Sequence, residues 1–297
     1  MEKIAVLMGG ISSEREVSLK SGRNVARALA SLGKYEVVEV DLTEESLAAL
    51  PAGVSRVYIA LHGGWGENGG VQSALDRLHI PYTGPGALAS AIAMDKVKTK
   101  LVLEMKGVPT AKWQLASRDT PAAPLPLPVV VKPPADGSSV GIAKVTRAED
   151  WPAARDGAFA AMAAGSEILV EEYVPGREFT VGVIAGKPLP VIEIVAPGGW
   201  YGYDEKYRSD ATRYPFLEDA ALASRLQELA LKAYEAVGCR GVTRIDFRVS
   251  PLGHAYVLEL NTSPGFTAHS LVPKAGVKAG MSIAETCEKI LSESRYD

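Results

Sequence analysis

The chain has 297 residues, 47% of them hydrophobic, and its 32 Lys and Arg against 35 Asp and Glu leave a formal net charge of −3. Such a chain can bury a sizeable core and has room for about two or three domains, while the near-neutral balance without a basic block gives no electrostatic footprint for nucleic acid or for an acidic membrane surface. Two cysteines, Cys239 and Cys287, do not make a disulfide framework, no apolar run has the length to span a bilayer, and a cytoplasmic protein is expected.

Met1-Glu2-Lys3 followed by the apolar run 4–8 is too short, and too soon followed by Gly9-Gly10, for a signal peptide, and it reads as a first buried strand. A helix over about 17–32, a strand at 36–41, a short helix near 44–50 and a strand at 57–61 follow. Continuous apolar strands between helices imply a parallel sheet covered on both faces. Glycine-rich loops come after the first strand, reaching Glu14, and after the third, starting at His62. In an open α/β sheet ligands bind outside the carboxyl ends of the strands, so Glu14 and His62 are candidate substrate contacts. Glu14 also reads as a helix N-terminal acid satisfying backbone donors. Gly84-Pro85-Gly86-Ala87-Leu88-Ala89 lies after several strands without an acid at the distance a dinucleotide fingerprint requires, and reads as a turn that starts a helix. No P-loop sequence occurs, so a nucleotide must be held another way.

From about Met94 a helix carrying Asp95, Lys96, Lys98 and Lys100 leads to a proline-rich connector, 121–128, which marks a boundary or an exposed linker. A strand ending in Lys132, a glycine and serine loop at 135–141 and a returning strand at 142–145 make a hairpin. An alanine-rich helix over about 151–164 precedes a strand at 168–174. Lys96 and Lys132 offer point charges for phosphates, and the backbone of Gly137-Ser138-Ser139-Val140-Gly141 can fold over them. Each lysine by itself reads rather as a solvated surface charge, and it is their combination with the loop that suggests phosphate. Glu171-Glu172-Tyr173-Val174 gives acceptors and exposed backbone at a strand edge suited to an adenine ring. Segments 178–184 and 189–194 form a further hairpin, and a long loop, 196–214, holds four tyrosines, Trp200 and Lys206; its aromatic content argues against disorder and for function. A helix over about 218–237 follows.

In Arg244-Ile245-Asp246-Phe247 and Leu258-Glu259-Leu260-Asn261, polar and apolar residues alternate on two adjacent strands, so four polar side chains project from one neighbourhood. An ordinary exposed hairpin shows the same alternation, but the segment 261–270, with Pro, Gly, His and hydroxyl residues, reads as a shaped binding loop. Asp, Glu and Asn offer oxygen ligands, which suit magnesium bridging nucleotide phosphates rather than zinc. The arginine is then left free to stabilise an anion.

In this order the motifs resemble those of the ATP-grasp superfamily, and within it the D-alanine–D-alanine ligase family. The carrying residues are Gly9-Gly10-Ile11-Ser12-Ser13-Glu14-Arg15-Glu16-Val17-Ser18, the His62-Gly63 loop with Gly66-Glu67-Asn68-Gly69, Met94-Asp95-Lys96, Val131-Lys132-Pro133 with the loop 137–141, Tyr203-Asp204-Glu205-Lys206-Tyr207, Arg244-Ile245-Asp246, and Asn261 to Thr267. The resemblance spans essentially the whole chain. It implies a mixed α/β and α+β fold: an N-terminal open parallel α/β substrate domain (1–93), then a two-lobed ATP-grasp fold made of a central lid (94–176) and a C-terminal catalytic and metal-binding domain (177–297).

The activity implied is ATP-driven joining of two D-alanine molecules through a D-alanyl phosphate, releasing ADP and phosphate, for peptidoglycan precursor synthesis. Two Mg2+ or Mn2+ ions would sit on Asp246, Glu259 and Asn261, with a monovalent cation as a further expectation. ATP would be held by Lys96, Lys132, Ser139, Glu171, Glu172, Tyr173, Val174 and Glu178. Glu14, Ser138 and Tyr207 would form a hydrogen-bonded set linking the three domains, and Arg244 with the Gly265 N–H would face the oxyanion of the tetrahedral intermediate. His62, Lys206, Ser270 and the backbone of Leu271 would contact substrate; for Ser270 and Leu271 simple loop capping is the competing reading. A homodimer is expected from the resemblance. Trp65, Asn68 and Pro134-Ala135-Asp136 depart from the family pattern and bear on lid dynamics and affinity rather than on reaction class. A D-lactate-using relative would differ around Lys206-Tyr207, another carboxylate–amine ligase would lack Glu14 and the His62 loop, and an inactive nucleotide-binding scaffold would show decay in the Arg244, Asp246, Glu259 and Asn261 set.

Overall fold

The computed structural model of the chain describes residues 1–135, 140–162, 165–199 and 211–297. β1 (Glu2–Gly9), β2 (Tyr35–Leu42) and β3 (Arg56–Ile59) form a parallel sheet of order β2-β1-β3. β1 lies in the middle, so residues Ile4 to Met8 are all buried. Because side chains alternate along a strand, Ile4, Val6 and Met8 enter one core with Leu19, Val25 and Leu29 of the helix Arg15–Ala30, while Ala5 and Leu7 enter another with Val71 and Leu75 of the helix Gly70–Arg77. The parallel sheet covered on both faces is therefore as expected.

Residues 44–50 are not a helix but bends and a turn. Ser46 Oγ accepts the Ala48 N–H at 3.1 Å, a local bond that competes with helix formation, and Leu47 and Leu50 are drawn onto the core of the sheet.

The chain next forms β4 (Trp113–Ala116), β5 (Val129–Lys132), β6 (Ala143–Val145) and β7 (Ile168–Glu172), an antiparallel sheet of order β4-β7-β5-β6. Trp151, Ala158 and Phe159 of the helix Trp151–Ala161 pack on it. The strand-edge expectation for 171–174 is corrected here. β7 is an interior strand, paired with β4 on one side and β5 on the other, as its buried run Ile168, Leu169 and Val170 requires.

β8 (Arg177–Ile184), β9 (Lys187–Pro188), β10 (Ile192–Ile194), β11 (Val242–Val249) and β12 (Ala255–Asn261) make a second antiparallel sheet, of order β10-β8-β11-β12 with β9 on β8. The helix Ala220–Val237 covers it together with Ala89, Ala93 and Leu103. Those three belong to two helices, Ala87–Met94 and Lys96–Met105, which divide at Asp95. The Asp95 backbone is extended there and its carboxylate caps the second helix, accepting from the Val97 and Lys98 N–H groups at 3.0 and 3.1 Å. Finally, the helix Ile283–Ser292 returns to the N-terminal sheet, and Cys287, Ile290 and Leu291 share the core of β1 with Phe266, Leu271 and Ile184. The loop after β12 is thereby carried to the carboxyl ends of β1 and β3.

Candidate active site

Strand register assembles the polar face of the β11–β12 hairpin. Asp246 lies opposite Glu259, Arg244 opposite Asn261, and Thr180 of β8 flanks Asp246 on its other side. The buried Asp246 carboxylate accepts from Thr180 Oγ1 at 2.6 Å, from Arg244 Nε and Nη2 at 3.0 and 2.8 Å, and from Asn261 Nδ2 at 3.1 Å. The expectation that Arg244 is left free is corrected: residues i and i+2 share a strand face, and the long guanidinium reaches both oxygens of the acid beside it. With its NH2 turned to Asp246, Asn261 keeps its amide oxygen as a possible ligand. Two carboxylates and an amide oxygen are a hard-oxygen set suited to a cation that takes its remaining ligands from phosphate and water. No group of three His, Cys, Asp or Glu able to hold a metal occurs among the described residues.

At the sheet ends, Ser12 Oγ donates to the His62 carbonyl at 2.5 Å and accepts the Glu14 N–H at 3.2 Å. Glu14 occupies the cap position of the helix Arg15–Ala30, yet its side chain makes no capping hydrogen bond. Instead it lies against Gly63, where a Cβ would sit 2.9 Å from Glu14 Oε2. Three residues on one face of that helix pin the surrounding loops. Ser18 Oγ accepts the Gly9 N–H at 2.9 Å and donates to the Ala60 carbonyl at 2.7 Å. Ser21 Oγ accepts the Phe266 N–H at 3.1 Å and lies 3.1 Å from His62 Nε2, and Asn24 Nδ2 donates to the Phe266 carbonyl at 2.8 Å.

His62 is buried with Nδ1 3.0 Å from the Ser263 carbonyl, an acceptor only. Nδ1 therefore carries the proton and Nε2 accepts from the Ser21 hydroxyl. Burial pushes the His62 pKa down, against the pull of Glu14 nearby, which suits this neutral ring. Gly265 sits where a Cβ would lie 3.0 Å from Ser270 Oγ, 3.7 Å from Ser21 Oγ and 3.8 Å from His62 Nε2. Ser270 precedes the helix Leu271–Lys278 and its hydroxyl accepts the Thr267 N–H at 2.8 Å, so the loop-capping reading of Ser270 is realised. Glu14 from the first loop, His62 from the loop after β3, and Gly265 with Ser270 from the loop after β12 are thus brought into one neighbourhood.

On the side of the central sheet, Lys96 and Lys132 are buried rather than solvated. The Lys96 N–H donates to the Pro134 carbonyl at 2.8 Å, which ties the start of its helix to the chain entering the glycine and serine loop. Lys132 Nζ is 2.7 Å from Glu171 Oε2, and the buried Lys100 Nζ is 3.2 Å from Glu171 Oε1. Burial raises the Glu171 pKa, but the two ammonium groups outweigh it and hold the carboxyl below its ordinary range. Burial lowers the Lys100 pKa against the attraction of Glu171. Further along, Arg248 gathers three of the expected residues: it donates to Tyr173 Oη at 3.0 Å, to the Val174 carbonyl at 3.2 Å and to Glu178 Oε2 at 3.2 Å. Lys144 Nζ stands 3.6 Å above the Tyr173 ring, and the Glu172 N–H is taken by the Lys112 carbonyl.

Sequence reasoning missed Lys100, Arg248 and Glu67 as site residues. Lys100 is one helical turn beyond Lys96, and Arg248 continues the alternation of Arg244 and Asp246, so both had a periodic signal. Ser138, Ser139, Lys206 and Tyr207 lie outside the described residues.

The family model for the D-ala D-ala ligase C-terminus matches residues 101–292. The D-alanine–D-alanine ligase of Bordetella petrii is 45% identical over 303 aligned residues, which cover 98% of this chain and 92% of that protein. Its counterpart in Glaesserella parasuis is 44% identical over 99% of this chain and 98% of its own length. The crystal structure of the D-alanine–D-alanine ligase from Bacillus anthracis complexed with ATP matches with a TM-score of 0.85 at 31% identity, covering 99% of this chain and 97% of that one. That of the VanG D-Ala:D-Ser ligase from Enterococcus faecalis matches with a TM-score of 0.85 at 28% identity, covering 98% of each. The three-sheet fold is accordingly the ATP-grasp arrangement behind an N-terminal α/β sheet, and with identity of this extent over nearly the full length, the chain belongs to the D-alanine–D-alanine ligase family.

Proposed function

We propose that the protein joins two D-alanine molecules to D-alanyl-D-alanine with conversion of ATP to ADP and phosphate, by way of a D-alanyl phosphate, in peptidoglycan precursor synthesis. The observation that carries this reading is that Ser263, two residues past Asn261, is held against His62: an oxygen-rich face fit for a nucleotide phosphate adjoins a pocket fit for an amino acid.

In the proposed reaction Glu14 takes the ammonium of the first D-alanine and leaves its carboxylate facing the γ-phosphate. Lys96 and Lys132 hold the phosphates, with Ser139, Glu171 to Val174 and Glu178 completing the nucleotide site. Asp246, Glu259 and Asn261 would hold two Mg2+ or Mn2+ ions, which when bound neutralise phosphoryl charge. A D-alanine carboxylate oxygen attacks the γ-phosphorus and ADP leaves. The amine of the second D-alanine, whose carboxylate is received by Ser270 and the backbone of Leu271 at a helix N-terminus, then attacks the acyl carbon. Arg244 and the Gly265 N–H stabilise the resulting oxyanion until phosphate departs. His62 and Lys206 position substrate, and Ser138 and Tyr207 join Glu14 in managing the incoming amine's proton.

The proposal includes the division into units 1–93, 94–176 and 177–297, a homodimer and a cytoplasmic location. A monovalent cation would be a further cofactor, with no ligands assigned to it. Among the described residues no helix is long and apolar enough to cross a membrane.

The test is ADP release from purified protein with ATP and magnesium, supplied with D-alanine, L-alanine, or D-alanine with D-lactate or D-serine, and products identified by mass. Turnover on D-alanine alone with the dipeptide as product is expected. ADP release that requires a different acceptor would overturn the substrate assignment, and ATP binding without turnover would overturn the reaction.

A further inference from the structure

Glu67 follows the short 3-10 turn Gly64–Gly66 behind His62. Its carboxylate bridges two distant loops: Oε2 accepts the Gly63 N–H at 2.6 Å, and Oε1 accepts the N–H of Ser263, 196 residues away, at 3.3 Å. Ser263 is tied to the same loop twice more, through its hydroxyl to the Leu61 carbonyl at 2.7 Å and through its carbonyl to His62 Nδ1 at 3.0 Å. Glu14 lies on the side-chain face of Gly63, the very residue whose N–H Glu67 holds. Glu67 therefore stands between the ammonium pocket and the loop that leads from Asn261 to Gly265.

We propose that Glu67 is a positioning residue for the first substrate, clamping the Gly63 loop of the amino-acid pocket to the Ser263–Gly265 loop of the phosphoryl-transfer site in a manner linked to the charge on Glu14. This rests on the reading of the chain as a D-alanine ligase and adds to it a residue and a proton linkage.

The charged groups acting on Glu67 are Glu14 from the first loop and Arg244 from β11, and the titratable His62 ring of its own loop shares Ser263 with it. Burial and the Glu14 carboxylate push the Glu67 pKa up to about 7, while the Gly63 and Ser263 N–H groups and Arg244 favour the ionised form. An α-ammonium seated on Glu14 cancels the charge that opposes ionisation. Glu67 then gives up its proton, and its two N–H contacts become charge-assisted. Loading the first D-alanine near neutral pH thus releases a proton and tightens the clamp.

The test compares wild type, Glu67→Gln and Glu67→Asp in steady-state turnover of ATP and D-alanine between about pH 6 and 9. In wild type, KM for the first D-alanine falls as pH rises through about 7, with kcat changing less. Glu67→Gln presents a single acceptor oxygen and no charge, so its KM rises about tenfold and the inflection disappears. Glu67→Asp is too short to reach both loops and shows raised KM with the inflection retained. A Glu67→Gln enzyme with the wild-type KM and pH profile, or one impaired in kcat alone, overturns the proposal. Should that variant not fold, calorimetric titration of the wild-type enzyme and ATP with D-alanine, in buffers of different ionisation enthalpy, decides: absence of proton release overturns it. Failure of wild type to turn over D-alanine at all would instead overturn the functional reading.

Discussion

Lys132 and Glu171 form an ion pair of 2.7 Å inside the central sheet, and the far oxygen of the same carboxylate is 3.2 Å from Lys100. The three charges leave a net positive unit at the end of β5. In the proposed nucleotide site it would offer a phosphate an ammonium already desolvated and held in place, so that little side-chain entropy remains to be lost on binding.

Removing the carboxylate exposes the cost of the arrangement. Glu171→Ala leaves two buried ammonium groups without a counter-charge, and the expected destabilisation is about 3–5 kcal/mol, read from the denaturant midpoint. Lys100→Met should raise KM for ATP while leaving KM for D-alanine unchanged. An equal rise in both would place Lys100 in general folding rather than in nucleotide positioning.

Asp246 carries four hydrogen-bond donors and is proposed as a metal ligand. Asp246→Asn keeps the shape but turns one acceptor into a donor facing Arg244, and turnover should fall by about a thousandfold or more while the thermal midpoint changes little. Chelation of divalent ions from wild type should give the same loss, reversed by added Mg2+. Activity that survives chelation would remove the metal from the proposed mechanism.

Gly265 lies close to Ser270: a Cβ there would press on Ser270 Oγ at 3.0 Å, so the loop or the hydroxyl must give by a few tenths of an ångström. Gly265→Ala should displace the loop by a fraction of an ångström, lowering kcat by about a hundredfold at a stability cost of about 1–3 kcal/mol. Pairing it with Ser270→Ala should recover part of the stability loss, because the clash partner is gone, while kcat stays low because the proposed substrate contact goes with it. Independent, additive effects would locate the damage elsewhere in the loop.

His62 and Glu67 make opposite contributions to stability against pH. For His62 the folded pKa lies below the ordinary value of 6.5, so the unfolded chain takes up a proton first and stability is lost as pH falls below about 6.5. For Glu67 the folded value of about 7 exceeds the ordinary 4.5, so its contribution is present below 4.5 and is lost as pH rises through about 7. Melting temperatures across this window should therefore fall less steeply toward acid in His62→Gln, and less steeply toward neutrality in Glu67→Gln, than in wild type.

The elements that periodicity alone could identify were the strands with continuous apolar runs, such as 4–8 and 129–131, and the long amphipathic helices. Their signal is local, since every side chain in them answers to the same core. The segment 44–50 misled because its apolar spacing suits a helix while the Ser46 hydroxyl closes a turn on Ala48. The strand edge expected at 171–174 failed for a different reason: whether a strand is interior depends on which segments return beside it, and β4 and β5 both do.

The sequence by itself determined the fold class, the family resemblance and the alternation that sets Arg244, Asp246, Glu259 and Asn261 on one face, because alternation and motif order are properties of the chain read along its length. Only the tertiary structure decided that Arg244 is anchored on Asp246 through Nε and Nη2, that Glu171 lies between Lys100 and Lys132, and that Glu67 joins Gly63 to Ser263. Those pairings are set by strand order and by the return of the C-terminal helices to the first sheet. A charge has no partner until the fold has placed one within a few ångströms of it, and no spacing along the chain records that distance.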